Sequence, residues 1–185
     1  MISTSDISNG VNFKMDGQIW TVVWFQHHKP GKGGAMVRLK IKNLRTGSTI
    51  ETTVKSGEKF EEVNLIRTKM QFLYKEGTDF VFMDNATYEQ IHIPSKQLGD
   101  SVQFLQDNMD VDVLFYGEEI LGVQLPTTVI LEVTYTEQGL KGDTSTGAMK
   151  LAKLETGAQI SVPLFINIGE KLKIDTRTGE YIQRA

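Results

Sequence analysis

Residues 36–44 read MVRLKIKNL, and the fold turns on how they alternate. Val37, Leu39 and Ile41 take every second place, with Arg38, Lys40 and Lys42 between them. Extended backbone points successive side chains to opposite sides, so in a strand these two sets lie on opposite faces. One face can enter a core while the other presents a row of cations. Upstream, IWTVVWF at residues 19–25 reads as a buried strand. Downstream, NLRTGSTIETTV at 43–54 has turn residues at Thr46–Ser48 and then resumes a β-rich pattern.

Between the first two strands lies HHKPGKGGA, residues 27–35. A hairpin tip needs only about two to five residues with a glycine, so nine is long. Lys32 stands at the crown between Gly31 and the pair Gly33–Gly34, while Lys29 and Pro30 form the leading arm. Proline stiffens that arm. With about four residues per arm, the tip reaches at most roughly 13 Å from the strands. On residue chemistry alone the loop is either a solvated hairpin turn or a thin stalk that places one amine in a narrow space.

Several chemistries are excluded. A phosphate-binding P-loop needs G-x-x-x-x-G-K-[ST] leading into a helix, whereas Gly33 follows Lys32 here and a strand comes next. Adjacent His27 and His28 face opposite ways on a strand, and His92 is far along the chain, so a metal site is not expected. A Schiff-base lysine needs a desolvated pocket, which a glycine-flanked tip does not supply. There is no cysteine, hence no disulfide framework or thiolate chemistry. No cofactor is implied, and no run approaches the roughly 20 apolar residues of a membrane span. The N-terminus, MISTSDISNG, lacks the basic and apolar regions of a secretion signal, so a cytoplasmic protein is expected.

The rest of the chain continues in short strands. MQFLYKEGTDFVFMD (70–84) predicts a hairpin turning at Glu76–Thr78. PSKQLGDSVQFLQD (94–107) predicts a helix from Leu98, Val102 and Leu105, weakened by Gly99. MDVDVLFYGEEILGVQLP (109–126) returns to strands with a turn near Gly117. TVILEVTYT (128–136) alternates through Val129, Leu131, Val133 and Tyr135, and AQISVPLFINI (158–168) through Ile160, Val162, Leu164, Ile166 and Ile168. Pro163 inside the latter predicts an edge position or a bulge. LKIDTRTGEYI (172–182) turns at Thr178–Gly179. There is no low-complexity tract and no fixed repeat period. The expectation is an all-β chain of three small β-barrels in series, at residues 1–64, 65–126 and 127–185.

Charge is divided among these blocks. Residues 1–64 hold nine Lys/Arg against six Asp/Glu, 65–126 four against ten, and 127–185 seven of each. No acid occurs between Gly17 and Ile50. A polyanion would meet the first block on favourable terms and the second on unfavourable ones, although a solvated basic face fits the same pattern.

The motifs in order resemble those of the bacterial elongation factor P family. They are QHHKPGKGGA followed by VRLKIKNLRTG, then FVFMD, GVQLP, LKGDTSTGA, LETGA, VPLF and IDTRTGEYI, spread over the whole chain. The resemblance implies an SH3-like (KOW-type) barrel followed by two OB-folds. It implies a monomeric translation factor, not an enzyme, that binds the 70S ribosome between the P and E sites. There it would touch P-site peptidyl-tRNA and rRNA and relieve stalling at consecutive prolines. Lys32 occupies the position at which the family carries a post-translational extension, added by a lysine-modifying enzyme. Lys29, Arg38, Lys40 and Lys42 are candidate RNA contacts. The resemblance also carries RNA contacts to Gly142, Asp143, Thr144 and Gly147, and tRNA contacts to Tyr181 and Arg184. Residue chemistry alone leaves a plain Gly/Asp/Thr turn and a barrel-closing Tyr open. This chain has His28 where the family commonly has Val, and its tip is Lys and not the Arg to which some relatives attach sugar. A general single-strand nucleic-acid binder built from OB-folds is the competing class, and an elongation factor P-like paralogue with a different target is the other alternative. The acidic middle block weighs against the first, because such proteins need a positive groove with aromatic platforms.

Overall fold

The alternation at 36–44 is realised in full. In the computed structural model, which describes residues 1–29, 31, 33–138 and 147–185, Val37, Leu39 and Ile41 are buried while Arg38, Lys40 and Lys42 are exposed. Their strand is the fourth of a first sheet made of β1 (Ile2–Ser3), β2 (Asn12–Met15), β3 (Gln18–His28), β4 (Met36–Asn43), β5 (Thr49–Lys55) and β6 (Lys59–Glu62), ordered β1-β6-β2-β3-β4-β5. The sheet curls around Phe13, Trp20, Val22, Val37, Leu39 and Ile41.

A second sheet contains β7 (Ile66–Glu76), β8 (Asp79–Asp84), β9 (Gln90–Pro94), β10 (Asp110–Tyr116) and β11 (Glu119–Gln124), ordered β11-β10-β7-β8-β9. Phe72 lies 5.6 Å from Phe80 and 5.4 Å from Phe82 between ring centres. The third sheet contains β12 (Thr128–Thr136), β13 (Met149–Leu154), β14 (Gln159–Pro163), β15 (Lys171–Asp175) and β16 (Tyr181–Arg184), ordered β14-β13-β12-β15-β16. Its core holds Leu131, Val133, Leu154, Val162, Ile166, Leu172 and Ile174, joined by Phe104. The chain is thus all-β, as its pattern predicts. Pro163 closes the edge strand β14, where its missing N–H is harmless.

By internal contacts the chain forms two units, Met1–Thr68 with Val113–Gly122, and Lys69–Asp112 with Val123–Ala185. In the first unit, Ile19, Val63 and Leu121 are buried together, with Leu44, Leu65, Leu114 and Tyr116 packed against them. Two polar contacts border this cluster. Arg45 donates Nε and Nη2 to the two carboxylate oxygens of Glu119, at 2.7 and 2.9 Å. The Lys14 ammonium sits 5.0 Å from the Tyr116 ring centre and 2.9 Å from Glu61.

The expected elements fail at identifiable points. The helix predicted over 94–107 is one α-turn, α1 (Ser95–Leu98), followed by a 3-10 helix at Gly99–Phe104. Gly99 adopts φ +56°, outside the helical region, and interrupts the element there. The alternation in 128–136 breaks at Tyr135, which is 58% exposed. A register shift between Val133 and Tyr135 turns it outward and Thr136 inward. Similar shifts occur in β3 between Val22 and Trp24 and in β7 between Phe72 and Tyr74, so each sheet bends its longest strand with a bulge. The alternation in 158–168 also overruns, because β14 ends at Pro163 and Ile168 is 60% exposed.

One turn recurs in all three sheets although no repeat period is visible. Asn43, Asp84 and Asp175 each accept at Oδ1 from the backbone N–H two residues on, at 2.8, 2.7 and 2.8 Å. Each backbone carbonyl also accepts from the residue four places on, Gly47, Tyr88 and Gly179. These fifth residues have φ +75°, +63° and +74°. Glycine takes that conformation freely. Tyr88 holds it with a side chain and is 72% exposed.

Candidate nucleic-acid interface

The outward face of β4 is built by cross-strand pairing. Arg38 lies opposite Gln26 on β3 and Thr53 on β5; Lys40 lies opposite Trp24 and Glu51; Lys42 lies opposite Thr21 and Thr49. Directly opposed residues share a face, so the exposed side of β4 carries a row of cations flanked by neutral groups on every rung but one. Glu51 is the exception. Among the described residues, no ion pair engages Arg38, Lys40 or Lys42.

The ladder between β3 and β4 extends to His28↔Met36. Both histidines are therefore strand residues, and the loop is the seven residues 29–35 and not the nine of 27–35. Three residues per arm lower its maximum reach to roughly 10 Å. Lys29, Gly31, Gly33 and Gly34 are exposed. The loop's end is tied down by Ser56, whose N–H donates to the Ala35 carbonyl at 2.8 Å. Gly33 has φ +122°, where a side chain is strained. Among the described residues, a Cβ at Gly31 or Gly34 would meet nothing within 4 Å, so packing against them does not require glycine at either place. Lys32 and Pro30 lie outside the described residues, as do Gly142, Asp143 and Thr144.

The sites expected in the third sheet are separate in kind. Gly147 is exposed at φ +99°. Tyr181, the first residue of β16, is half-buried against the third core. Arg184 donates to Glu170 at 3.3 Å and lies 5.2 Å from the Phe165 ring centre, so its guanidinium already has partners. The Asn167 backbone N–H, followed by Arg184, holds the Glu170 carboxyl below its ordinary value. Asp175 is lowered to about 2, first by the Arg177 side chain and then by that residue's own N–H. In the first unit the Arg45 hydrogen bonds lower Glu119, while Tyr116 and then Glu61 raise Lys14.

His27 packs edge-on against Phe25, and His92 sits 3.5 Å from Glu76. No group of three His, Asp or Glu is placed to hold a metal ion among the described residues. What the arrangement can do is dock a polyanion. One residue of this face is unexpected from sequence. Trp24 sits in a run that reads as wholly buried, yet the bulge at Val23 turns its side chain outward, 44% exposed.

Comparison with known proteins agrees with this architecture. The family model described as "Elongation factor P (EF-P) KOW-like domain" matches residues 3–60. That of the "Elongation factor P (EF-P) OB domain" matches 65–123, and "Elongation factor P, C-terminal" matches 129–184. A protein named elongation factor P from Desulfitobacterium hafniense (strain DSM 10664 / DCB-2) is 51% identical over 185 residues, covering 100% of both chains. One from Rippkaea orientalis (strain PCC 8801 / RF-1) is 52% identical over 184 residues, again covering 100% of both. Among solved structures, eukaryotic translation initiation factor 5A from Methanococcus jannaschii superposes with a TM-score of 0.51 at 23% identity. That match covers 68% of this chain and 90% of the other, and at this identity it speaks to fold alone.

Proposed function

The chain belongs to the elongation factor P family of translation elongation factors, and on that premise we propose that it binds the 70S ribosome between the P and E sites. There it contacts P-site peptidyl-tRNA and rRNA and stimulates peptide-bond formation at consecutive prolines. It works as a cytoplasmic monomer, with a lysine-modifying enzyme acting on Lys32. Its domains are 1–64, 65–126 and 127–185, a division supported by the spans of the family matches.

The observation that carries this reading is the outward row of Arg38, Lys40 and Lys42 on the strand that leads directly out of the glycine-bounded loop. RNA is held largely through phosphate, ribose and shape, for which a row of cations on a rigid strand is suited. The loop adds reach without bulk. Open space around Gly31 and Gly34 among the described residues fits the idea that their smallness serves an external site. Gly147 extends the RNA contact in the third domain together with Gly142, Asp143 and Thr144. Tyr181 and Arg184 meet the tRNA, for which Arg184 exchanges Glu170 for phosphate.

No acid, base or nucleophile is needed for this role. Peptide-bond formation depends on near-attack geometry, and a misplacement of about 1 Å can cost on the order of a hundredfold. A stalk that steadies the tRNA acceptor end restores rate by positioning alone. The test is peptide synthesis on a reconstituted ribosome, with messages encoding three prolines or none. Modified wild type rescues the proline message. Lys32→Ala keeps the basic strand, so it still binds but no longer rescues. Lys32→Arg behaves like Ala, because a guanidinium is broader and cannot accept an amine-directed modification. Equal rescue by Lys32→Ala and wild type would refute the stalk.

A further inference from the structure

Trp24 is the residue of the basic face that phosphate docking leaves unexplained. It stands directly opposite Lys40, and Arg38 is its diagonal neighbour on the same face. Among the described residues no cation lies over its ring, and the side chain is 44% exposed. Beside it is a depression of about 400 Å³ lined by Trp24, Arg38, Leu39, Glu51, Thr52 and Thr53. That volume is in the range of small-ligand sites.

We propose that this depression takes one unpaired RNA nucleotide, with its base stacked on Trp24 and its phosphate against Arg38 and Lys40. The proposal rests on the reading that the first domain meets RNA, and it deepens that reading by naming the ligand unit. An indole and a guanidinium on neighbouring rungs match the two halves of a nucleotide, a flat π-face and an anion. Duplex RNA keeps its bases stacked inside, so it could offer this face only phosphate and ribose. Glu51 limits the site. Its carboxylate stands opposite Lys40 on the side away from Trp24, where it repels a second phosphate and accepts a hydrogen bond from a ribose hydroxyl or an amino group. The site is thus built for one nucleotide and not for a tract.

The proposal separates three binding regimes. The full chain is titrated with a single-stranded RNA trimer, with a hexamer, and with a hexamer of the same backbone lacking bases. Indole fluorescence is followed together with an independent affinity measurement. The trimer and hexamer should quench equally and bind with similar affinity, and the abasic strand should quench little. Trp20 is buried and serves as the internal reference. Trp24→Ala should weaken trimer binding by about tenfold, the scale of one base–aromatic stack, and leave abasic binding unchanged. Trp24→Phe should stay within about threefold of wild type because it keeps a π-face. Glu51→Gln should make the hexamer bind more tightly than the trimer. Unquenched fluorescence, or trimer binding by Trp24→Ala equal to wild type, overturns the stacking site. If Arg38→Glu/Lys40→Glu still abolishes ribosome binding in that case, the docking reading survives without it. If the charge reversals leave ribosome binding intact while Trp24→Ala loses the trimer, docking fails and the nucleotide site stands.

Discussion

Asp175 shows how a single side chain can fix a turn in this protein. Its carboxylate accepts from the Arg177 backbone at 2.8 Å and from the Arg177 guanidinium at 3.2 and 2.9 Å. These bonds favour the ionised form, which is why the group titrates at about 2 in the fold instead of 3.8. A carboxyl lowered by folding adds stability that is complete above its unfolded value and is lost as pH falls through the folded value. Asp175→Asn should therefore unfold with less pH dependence than wild type between about pH 4 and pH 2, and the two should differ by a constant amount above pH 5. Thermal unfolding followed at several pH values would show this. Parallel curves across the acid range would mean the turn does not use the charge. The equivalent Asn43 cannot ionise, so the first sheet's copy of the turn is insensitive to acid. Unlike the Asp84 copy, which has no glycine to mark it, the first and third of these turns were legible in sequence as turns at Thr46–Ser48 and Thr178–Gly179. Their identity to one another was not, since Tyr88 replaces glycine at the left-handed place and the three copies are unevenly spaced.

At the scale of an element, β4 has two faces with different duties. Leu39 is 1% exposed, and Leu39→Ala should lower stability by about 2–5 kcal/mol through lost burial and a cavity. Arg38→Glu with Lys40→Glu should leave the unfolding midpoint close to wild type and cut ribosome affinity. Removing two phosphate contacts should flatten the slope of log affinity against log salt by about 1.4–1.8. The control is Glu89 and Glu118 reversed to Lys, because both are exposed in the acidic middle block. Glu119 is unsuited, being bound to Arg45. Equal losses from the two pairs would remove β4 as the docking surface. β4 was readable because an unbroken period of two survives along its whole length. β3 and β12 were readable only as far as their bulges, since an extra residue inverts every later side chain and leaves no composition signal. The 94–107 segment misled for another reason. Leu98 and Leu105 are buried seven residues apart, a helical spacing, but Gly99 at φ +56° lies between them. The basic face of the candidate site was thus legible and its aromatic member was not.

For the molecule as a whole, the first compact unit is discontinuous in sequence, since Val113–Gly122 packs with Met1–Thr68. The Arg45–Glu119 pair spans that discontinuity, with side chains 35% and 43% exposed. Solvent screening at such exposure limits it to about 0.5 kcal/mol, which a double-mutant cycle of Arg45→Ala and Glu119→Ala would measure. A coupling above about 2 kcal/mol would show that the pair, and not the buried Ile19, Val63 and Leu121, holds the segment in place. The same discontinuity has a meaning for synthesis. A growing chain that has just released Thr68 carries Ile19, Leu44 and Val63 without the Leu114, Tyr116 and Leu121 that cover them. At ~5–20 residues per second the missing hairpin follows roughly 2–10 s later. During that interval the nascent protein presents an unfinished apolar face to whatever surrounds the tunnel mouth.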